Sequence, residues 1–171
     1  LGATLSEIDT FIRHSNLTIE VILVDDKSTD RTDTVAKQYT FVKVVINEKS
    51  LGKGAALRTG FEIAQGKYFA MMDADFSHDV NELGEMLQIA GKTSGLVIAS
   101  RLTGGSEEYT RVRAFGNIFL TWLFGFVHGR YLSDALNGYK VFHREIFTSY
   151  EYTSNAFEIE IELLVNALRL D

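Results

Sequence analysis

The sequence predicts an α/β domain built on a mostly parallel β-sheet that is flanked by helices. Short apolar runs rich in β-branched residues recur along the N-terminal part of the chain, and helical patterns separate them. Glycines or acidic turns close most of these segments. Strand and helix units that alternate in this way form parallel sheets through right-handed crossovers.

The elements can be followed in order. Helical spacing of Leu5, Ile8, Phe11 and Ile12 predicts an amphipathic first helix. The predicted strands cover 19–24, 41–46, 68–72 and 96–100, and the first has the unbroken apolar run of a strand buried on both faces. The helices between them contain Val35 and Ala36, the segment from Gly52 to Ala64, and the segment from Leu83 to Ile89. After residue 105 we expect a long apolar helix, a short strand over 139–143 and a last helix from about Ile159.

Composition limits the class of protein. With 171 residues, 46% of them hydrophobic, the chain can form one domain with a sizeable core. A net charge of -6 and the lack of a basic run argue against nucleic-acid binding. The absence of Cys excludes disulfides and thiolate metal sites and fits a reducing compartment. Because the chain opens on Leu1, we expect the native start to precede it.

Two acidic turns follow predicted strands. Asp25-Asp26 comes after the first strand, and Asp73-Ala74-Asp75 comes after the third. Because parallel strands end at one edge of a sheet, both turns should face a common crevice. Turn formation and helix capping are the ordinary uses of such residues. Asp26, Asp73 and Asp75 together instead favour a site for Mg²⁺ or Mn²⁺, which bind oxygen ligands and substrate phosphates.

A glycine-bearing segment, 47–60, opens the third predicted helix. It lacks the Lys-Ser/Thr ending of the phosphate loop of nucleotide hydrolases, and glycines before a helix are common. Beside an acidic metal site, however, Lys53 and the helix N-terminus would be suited to neutralising nucleotide phosphate.

In their order and spacing these segments resemble glycosyltransferase family 2. The similarity lies in Val24 to Thr32, in Asn47 to Gly60 and in Met72 to Asp75. Other segments are similar to the polyprenyl-phosphate branch, the dolichol-phosphate mannosyl- and glucosyltransferases: Ser100-Arg101, Arg113 to Asn117, Asp134 to Phe142 and Asn155 to Glu160. The resemblance covers about residues 3–170.

The resemblance implies a Rossmann-like fold of the GT-A type and transfer of a hexose, with inversion, from a UDP- or GDP-sugar in the presence of Mg²⁺ or Mn²⁺. It assigns Asp26 to the base or ribose, Asp73 to the nucleotide side of the metal motif and Asp75 to the metal. His78 is expected to be a structural group or a neighbour of the metal ligands rather than a ligand itself, and water is expected to complete the metal shell near the short Ser77 side chain. The family's usual first strand is expected to precede this chain.

On the acceptor side, the resemblance assigns Asp134 to the acid that accepts or orients the acceptor proton. A cap before Asn137-Gly138 is the alternative role for Asp134. Arg101, Arg111 and Arg113 are either solvated surface residues or the binding site of an anionic acceptor, for which a polyprenyl phosphate is the expected compound.

The long apolar helix has two interpretations. Its main stripe recurs at helical spacing, which is typical of core packing and is what we expect here. Leu120 and Phe124 make the helix apolar nearly all round, as in a helix that contacts lipid. The stripe consists of Phe115, Ile118, Phe119, Trp122, Leu123, Phe126 and Val127.

We therefore expect one catalytic domain over 1–171, with a nucleotide-sugar part over about 1–105 and an acceptor part over about 106–171 that elaborates the sheet. The expected location is the cytoplasm or the cytoplasmic face of a membrane. A sugar-phosphate nucleotidyltransferase would share the sheet and the metal carboxylates. A non-catalytic nucleotide-sugar-binding module is the third reading, against which Asp73, Asp75 and Asp134 argue.

Overall fold

The helices and strands follow the predicted order. A computed structural model describes residues 1–49, 51–93, 95–100, 111–129 and 132–170, with side chains in the long helix from Ile118 onward. The N-terminal elements are α1 (Gly2–His14), β1 (Val21–Asp25), α2 (Thr32–Ala36), β2 (Val42–Ile46) and α3 (Lys53–Ile63). They are followed by β3 (Tyr68–Met71), α4 (Glu82–Thr93), β4 (Leu96–Ile98), α5 (Arg111–His128), β5 (Lys140–His143), α6 (Arg144–Thr148) and α7 (Ile159–Leu170).

The strands form two hydrogen-bonded groups. β1 and β2 are parallel, in a register that runs from Val21 opposite Val42 to Asp25 opposite Ile46. β5 lies between β3 and β4 and is antiparallel to both. The strand predicted over 139–143 is therefore a central member of the sheet rather than an addition to its outside. Lys140, the first residue of β5, lies opposite Met71 and Ile98, the last residues of β3 and β4.

Burial of β1 differs from the prediction. Its sequence predicts a strand buried on both faces, but Val21 to Val24 are half-buried. Among the described residues, β2 is the only strand hydrogen-bonded to β1. An apolar run does not show how many strands will pair with it, because the same residues suit a central strand and a strand with one partner.

The largest apolar cluster lies where β3, β5, α3 and α7 meet. The Phe61 and Phe69 rings stack with centroids 5.2 Å apart, and Phe142 packs edge-on against Phe61 at 5.4 Å. Ile159 and Leu163 on α7 are fully buried in the same cluster. Burial of these aliphatic side chains fixes the first turn of α7 against the sheet, and Glu160 enters the interior with it.

The long helix α5 does not bury its main apolar stripe, and the core-packing interpretation is wrong for the residues described. Thr121 and Phe124 face inward instead; Phe124 packs near Ala135 and Leu164, and Thr121 Oγ1 accepts a hydrogen bond of 3.0 Å from Ala135 N. A helix that is apolar nearly all round gives no signal for which face is buried. The exposed members of the stripe are Ile118, Phe119, Trp122, Leu123, Phe126 and Val127, and Leu120 beside them is exposed as well.

In the part of the chain that the structure describes, no helix has the length and hydropathy needed to span a bilayer.

Candidate functional site

The turn after β3 carries the Asp73-Ala74-Asp75 motif. Thr4 Oγ1 on α1 donates a hydrogen bond of 3.1 Å to the Ala74 carbonyl and so ties this turn to the first helix. Asp75 Oδ1 accepts a hydrogen bond of 3.0 Å from the backbone N–H of Ser77. Phe76 between them has a positive φ of 72°, which tightens the turn. The Asp75 side chain therefore stands on a fixed turn and is exposed to solvent.

Asp73 differs from Asp75 because basic groups surround it. Lys53 Nζ lies 2.7 Å from Asp73 Oδ1, and His78 Nε2 lies 3.6 Å from Asp73 Oδ2. The His78 imidazole and then the Lys53 ammonium hold the pKa of the Asp73 carboxyl well below its usual range, against the opposing effect of burial. The His78 separation exceeds hydrogen-bond length, and this buried nitrogen has no hydrogen-bond partner in the described part of the chain. Lys53 is therefore the closer and firmer partner of Asp73.

Lys53, the first residue of α3, bridges two carboxylates. Besides Asp73, its ammonium contacts Glu160 Oε1 at 2.9 Å. Burial pulls the pKa of Lys53 down, but the Asp73 and Glu160 carboxylates raise it above its usual value. The ammonium also lies over the Phe157 ring, 5.4 Å from the ring centroid. Lys53 is thus a fully charged cation at the edge of the sheet where β3 ends.

Lys140 is the second cation of the site and is completely buried. Its ammonium lies 3.2 Å from Glu160 Oε2 and also donates to the Asn137 carbonyl. Burial lowers the pKa of Lys140, while the charges of Glu160 and, more weakly, Asp134 oppose this shift. Asp134 is 1% exposed. The candidate acceptor-side acid is therefore electrostatically linked to the Asp73 side of the site through Lys140 and Glu160.

Gly138 allows these groups to approach closely. A Cβ atom at this position would lie 2.6 Å from Asp73 Oδ2 and 3.0 Å from Lys53 Nζ. Asn137 Oδ1 accepts a hydrogen bond of 2.9 Å from Tyr139 N and so fixes the turn around the glycine. Any side chain at 138 would push Asp73 or Lys53 from its place.

The first acidic turn is used in a different way. Asp25 is buried and accepts a hydrogen bond of 2.8 Å from Ser28 N. Asp26 accepts hydrogen bonds from Asn47 Nδ2 at 2.9 Å and from Gly52 N at 2.8 Å, and Leu51 N lies 3.1 Å from both of its oxygens. Asp26 thereby fastens the loop that leads to Lys53. Within that loop, Leu51 N and Gly52 N contact Asp26 of the first acidic turn. The next residue, Lys53, contacts Asp73 of the second acidic turn.

The N-terminus of α3 is not open to a phosphate in this structure. Gly54 N and Ala55 N both donate to the Asn155 carbonyl, at 2.8 and 3.3 Å. The segment around Asn155 lies so close that a Cβ at Gly54 would be 2.5 Å from the Ser154 carbonyl. The expectation that the helix N-terminus neutralises phosphate is therefore wrong here, because a backbone carbonyl already accepts these hydrogen bonds. Lys53 is the group of this segment that remains suited to that task.

Of the arginines expected to bind the acceptor, Arg101 lies outside the described residues. Arg111 and Arg113 begin the helix α5, and their side chains lie outside the described part. Among the residues described, no group of three His, Cys, Asp or Glu side chains is arranged to hold a metal ion. Asp73 and Asp75 would therefore need other oxygen ligands to complete a metal shell.

Comparison with known families gives the site its context. The family described as Glycosyl transferase family 2 matches residues 5–150 of this chain. The chain belongs to glycosyltransferase family 2. This membership confirms the resemblance seen in the sequence.

Relatives of this family-2 chain include dolichol-phosphate and other glycosyltransferases. Glycosyltransferase AglJ of Haloferax volcanii is 32% identical over 87% of the chain and 49% of its own length. The dolichol-phosphate mannosyltransferase of Pyrococcus furiosus is 29% identical over 96% of the chain and 48% of its own length. The dolichyl-phosphate β-glucosyltransferase of Drosophila melanogaster is 31% identical over 91% of the chain and 53% of its own length. The chain spans about half the length of the curated relatives it matches.

Solved structures confirm the GT-A type fold. Glucosyl-3-phosphoglycerate synthase of Mycobacterium tuberculosis, solved with UDP, superposes with a TM-score of 0.71 at 24% identity over 99% of this chain and 62% of that one. A further structure of that enzyme contains Mn²⁺, UDP-glucose and glycerol 3-phosphate. Mannosyl-3-phosphoglycerate synthase of Rubrobacter xylanophilus gives a TM-score of 0.69 at 22% identity, over 86% of this chain and 50% of that one.

Sequence reasoning did not single out three residues of this family-2 site: Lys140, Glu160 and Gly138. A signal for the charged pair was present. Lys140 lies between Tyr139 and Val141, and Glu160 lies between Ile159 and Ile161, so each charge interrupts an apolar run. A charge at such a position requires a partner of opposite sign. Nothing in the sequence showed that the partners were each other.

Proposed function

We propose that this chain is the donor-binding and catalytic part of a metal-dependent hexosyltransferase. It transfers a hexose, with inversion, from a UDP- or GDP-sugar to a polyprenyl phosphate. Family membership and the dolichol-phosphate relatives support the class of reaction. The observation that carries the proposal is the contrast at the end of β3, where the exposed Asp75 stands beside Asp73, whose charge is held by Lys53.

The residues at this turn fit a Mg²⁺ or Mn²⁺ ion that also binds the donor. Asp75 is an exposed carboxylate on a fixed turn, and Asp73 adds a second carboxylate two residues away. Mg²⁺ usually takes one or two protein carboxylates and completes its octahedral shell with water and substrate phosphates. When bound, the ion would neutralise charge that develops on the departing diphosphate.

On the donor side, Lys53 supplies positive charge for the diphosphate from the edge of the sheet. Asp26 supports the donor by holding the loop that precedes Lys53. Its two oxygens already accept hydrogen bonds from Asn47, Leu51 and Gly52. A contact from Asp26 to the base or ribose would therefore compete with its role in the loop.

On the acceptor side, Asp134 is proposed to accept or orient the proton that the monoanionic fraction of the acceptor phosphate retains. A phosphate monoester has a second pKa near 6 and is already largely a nucleophilic dianion at neutral pH. Such an acceptor needs positive charge to bring it to the donor more than it needs a strong base. Arg101, Arg111 and Arg113 are proposed to supply that charge through directional N–H donors.

The exposed face of α5 suits the lipid part of this acceptor. Trp122 is 61% exposed, Phe126 74% and Val127 67% on the same helix that begins with Arg111 and Arg113. An apolar helix face with aromatic side chains binds at the boundary between headgroups and acyl chains. This face supports our proposal that the protein works at a membrane surface, for which the cytoplasmic side is the one expected.

The test is a transfer assay with purified full-length protein, Mn²⁺, and labelled UDP-glucose or GDP-mannose. We expect transfer of the labelled hexose to a short polyprenyl phosphate, with release of UDP or GDP. In the Arg111→Ala/Arg113→Ala double variant, the KM for the lipid phosphate should rise strongly, while hydrolysis of the donor is spared. Equal use of lipid phosphate by the double variant, or transfer only to 3-phosphoglycerate or saccharides, would disprove the acceptor. Release of pyrophosphate would indicate nucleotidyl transfer, and binding without turnover a non-catalytic module.

A further inference from the structure

Four charged side chains form a continuous row from the interior to the site edge. Asp73 contacts Lys53 at 2.7 Å, Lys53 contacts Glu160 at 2.9 Å, and Glu160 contacts Lys140 at 3.2 Å. The exposed fraction of the side chain rises along the row, from 0% for Lys140 and 3% for Glu160 to 21% for Lys53 and 39% for Asp73. Only the Lys53–Asp73 end of the row faces solvent.

Each carboxylate of the row is paired with a lysine without any bound ligand. Asp73 pairs with Lys53 and Glu160 with Lys140, and the pKa directions of Asp73 and Lys53 keep the outer pair ionised. Buried charges of this kind are tolerated when they are paired, and removal of one partner is destabilising. A divalent cation that binds at Asp73 alone would place two more positive charges beside Lys53.

Lys53 can give up one partner and keep another, because its ammonium contacts both Asp73 and Glu160 and its side chain is partly exposed to solvent. If its ammonium leaves Asp73, it still contacts Glu160, and the Phe157 ring still lies 5.4 Å away. Glu160 is itself held by Lys140 and by its place in α7, so it stays where it is. The flexible four-carbon stem of lysine allows its ammonium to move over a short distance.

We propose that Lys53 is the internal counter-ion of Asp73 in the free enzyme. On donor binding, Lys53 leaves Asp73 for the donor diphosphate while it keeps its contact with Glu160, and Asp73 becomes available to the cation. This inference rests on the function proposed above. It makes Lys53 a competitor of the divalent cation at Asp73 as well as a partner of the diphosphate.

Cooperative binding follows from this exchange. A cation alone must displace the Lys53 ammonium, which then has no second anion to bind. A nucleoside diphosphate provides that anion. Each ligand therefore removes a cost that the other would meet alone, and by linkage each must strengthen the other by the same factor.

The experiment measures the affinity for Mn²⁺ by calorimetric titration of the full-length protein, with and without saturating UDP or GDP. In the wild type, the nucleotide should raise the Mn²⁺ affinity by about 10-fold or more, within the usual range of coupling between sites. The Lys53→Met variant keeps the apolar stem and lacks the charge. It should bind Mn²⁺ alone about 10-fold more tightly than the wild type and gain less from the nucleotide.

Two control variants separate this exchange from general charge effects. Lys37→Met removes an equal charge from a lysine that pairs with Asp33 at 2.9 Å on the surface, and it should leave the Mn²⁺ affinity unchanged. Lys53→Arg keeps the charge and should bind Mn²⁺ alone as weakly as the wild type. Because Asp73 keeps His78 and Glu160 keeps Lys140, the Lys53→Met variant should remain folded.

The outcomes distinguish this inference from the proposed function. If the wild type binds Mn²⁺ and nucleotide together, but Lys53→Met gains no affinity for Mn²⁺ alone, the exchange is disproved and the donor site stands. An equal gain in Lys37→Met would also disprove the exchange. If the wild type does not bind Mn²⁺ even when UDP or GDP is present, the proposed metal site fails, and the exchange fails with it.

Discussion

The two acidic turns look alike in sequence but use their carboxylates differently. After β1, Asp25 and Asp26 accept hydrogen bonds from backbone N–H groups and from Asn47, so their oxygens hold a loop in shape. After β3, Asp73 is held by charged side chains and Asp75 is exposed. A carboxylate satisfied by backbone amides supports a site by holding its loop, whereas the exchange proposed above needs a carboxylate balanced by a side-chain cation such as Lys53.

The largest effect should come from Asp75→Ala. Loss of the exposed carboxylate should abolish Mn²⁺-dependent donor binding, while the fold and the thermal stability without metal are kept or slightly raised, because carboxylate repulsion is relieved. The measurement is the rise in Tm on addition of Mn²⁺ and nucleotide sugar, which reports binding to the folded state. Asp79→Ala, a matched change on the same loop, should keep this rise. A full rise in the Asp75 variant would remove Asp75 from the metal site.

Asp134→Asn tests a carboxylate that belongs to neither turn. This change keeps the shape of the side chain and removes its charge, so kcat should fall by roughly 100-fold if the residue acts as a general base. Donor affinity, measured by titration, should change little. Weaker donor binding with unchanged kcat would place Asp134 in a structural role on the donor side.

A stability measurement should separate the two turns directly. Asp26→Ala leaves Leu51 N, Gly52 N and the Asn47 amide without their acceptor, and it should lower the free energy of unfolding by about 1–3 kcal/mol. Asp26→Asn retains one acceptor oxygen and should recover part of that loss. Urea denaturation of both variants beside Asp75→Ala provides the check. If Asp26→Ala were as stable as the wild type, Asp26 would not be a loop anchor.

The smallest effect concerns the pH dependence of Asp73. Its pKa is held below the ordinary value of 3.8, so the folded chain keeps this carboxylate ionised at a pH where the unfolded chain takes up a proton. The stabilisation is present above about pH 4 and is lost as the pH falls towards the pKa of the folded state. The free energy of unfolding of the wild type minus that of Asp73→Asn should therefore shrink between about pH 6 and pH 3. A difference that is constant or grows over this range would contradict the ion pair.

Much of the fold could be predicted because local pattern determines local structure. The apolar runs at 19–24 and 68–72 became β1 and β3, and the glycine after β2 preceded α3. Pairing of strands was harder, since β5 lies far along the chain from β3 yet hydrogen-bonds to it. The exposed stripe on α5 could not be predicted either, because an apolar helix carries no marker of its buried face.

By itself, the sequence determined the order of the elements, the acidic turns at strand ends and the family. These follow from residue type and spacing along a continuous stretch of chain. Only the tertiary structure decided which carboxylate meets which cation. Lys53, Asp73, Lys140 and Glu160 come from four separate segments, and their contacts exist because β5 lies between β3 and β4 while Ile159 and Leu163 hold α7 against the core. Side-chain chemistry can be read from a sequence, but the balance of charge in a buried site depends on distances that packing alone sets.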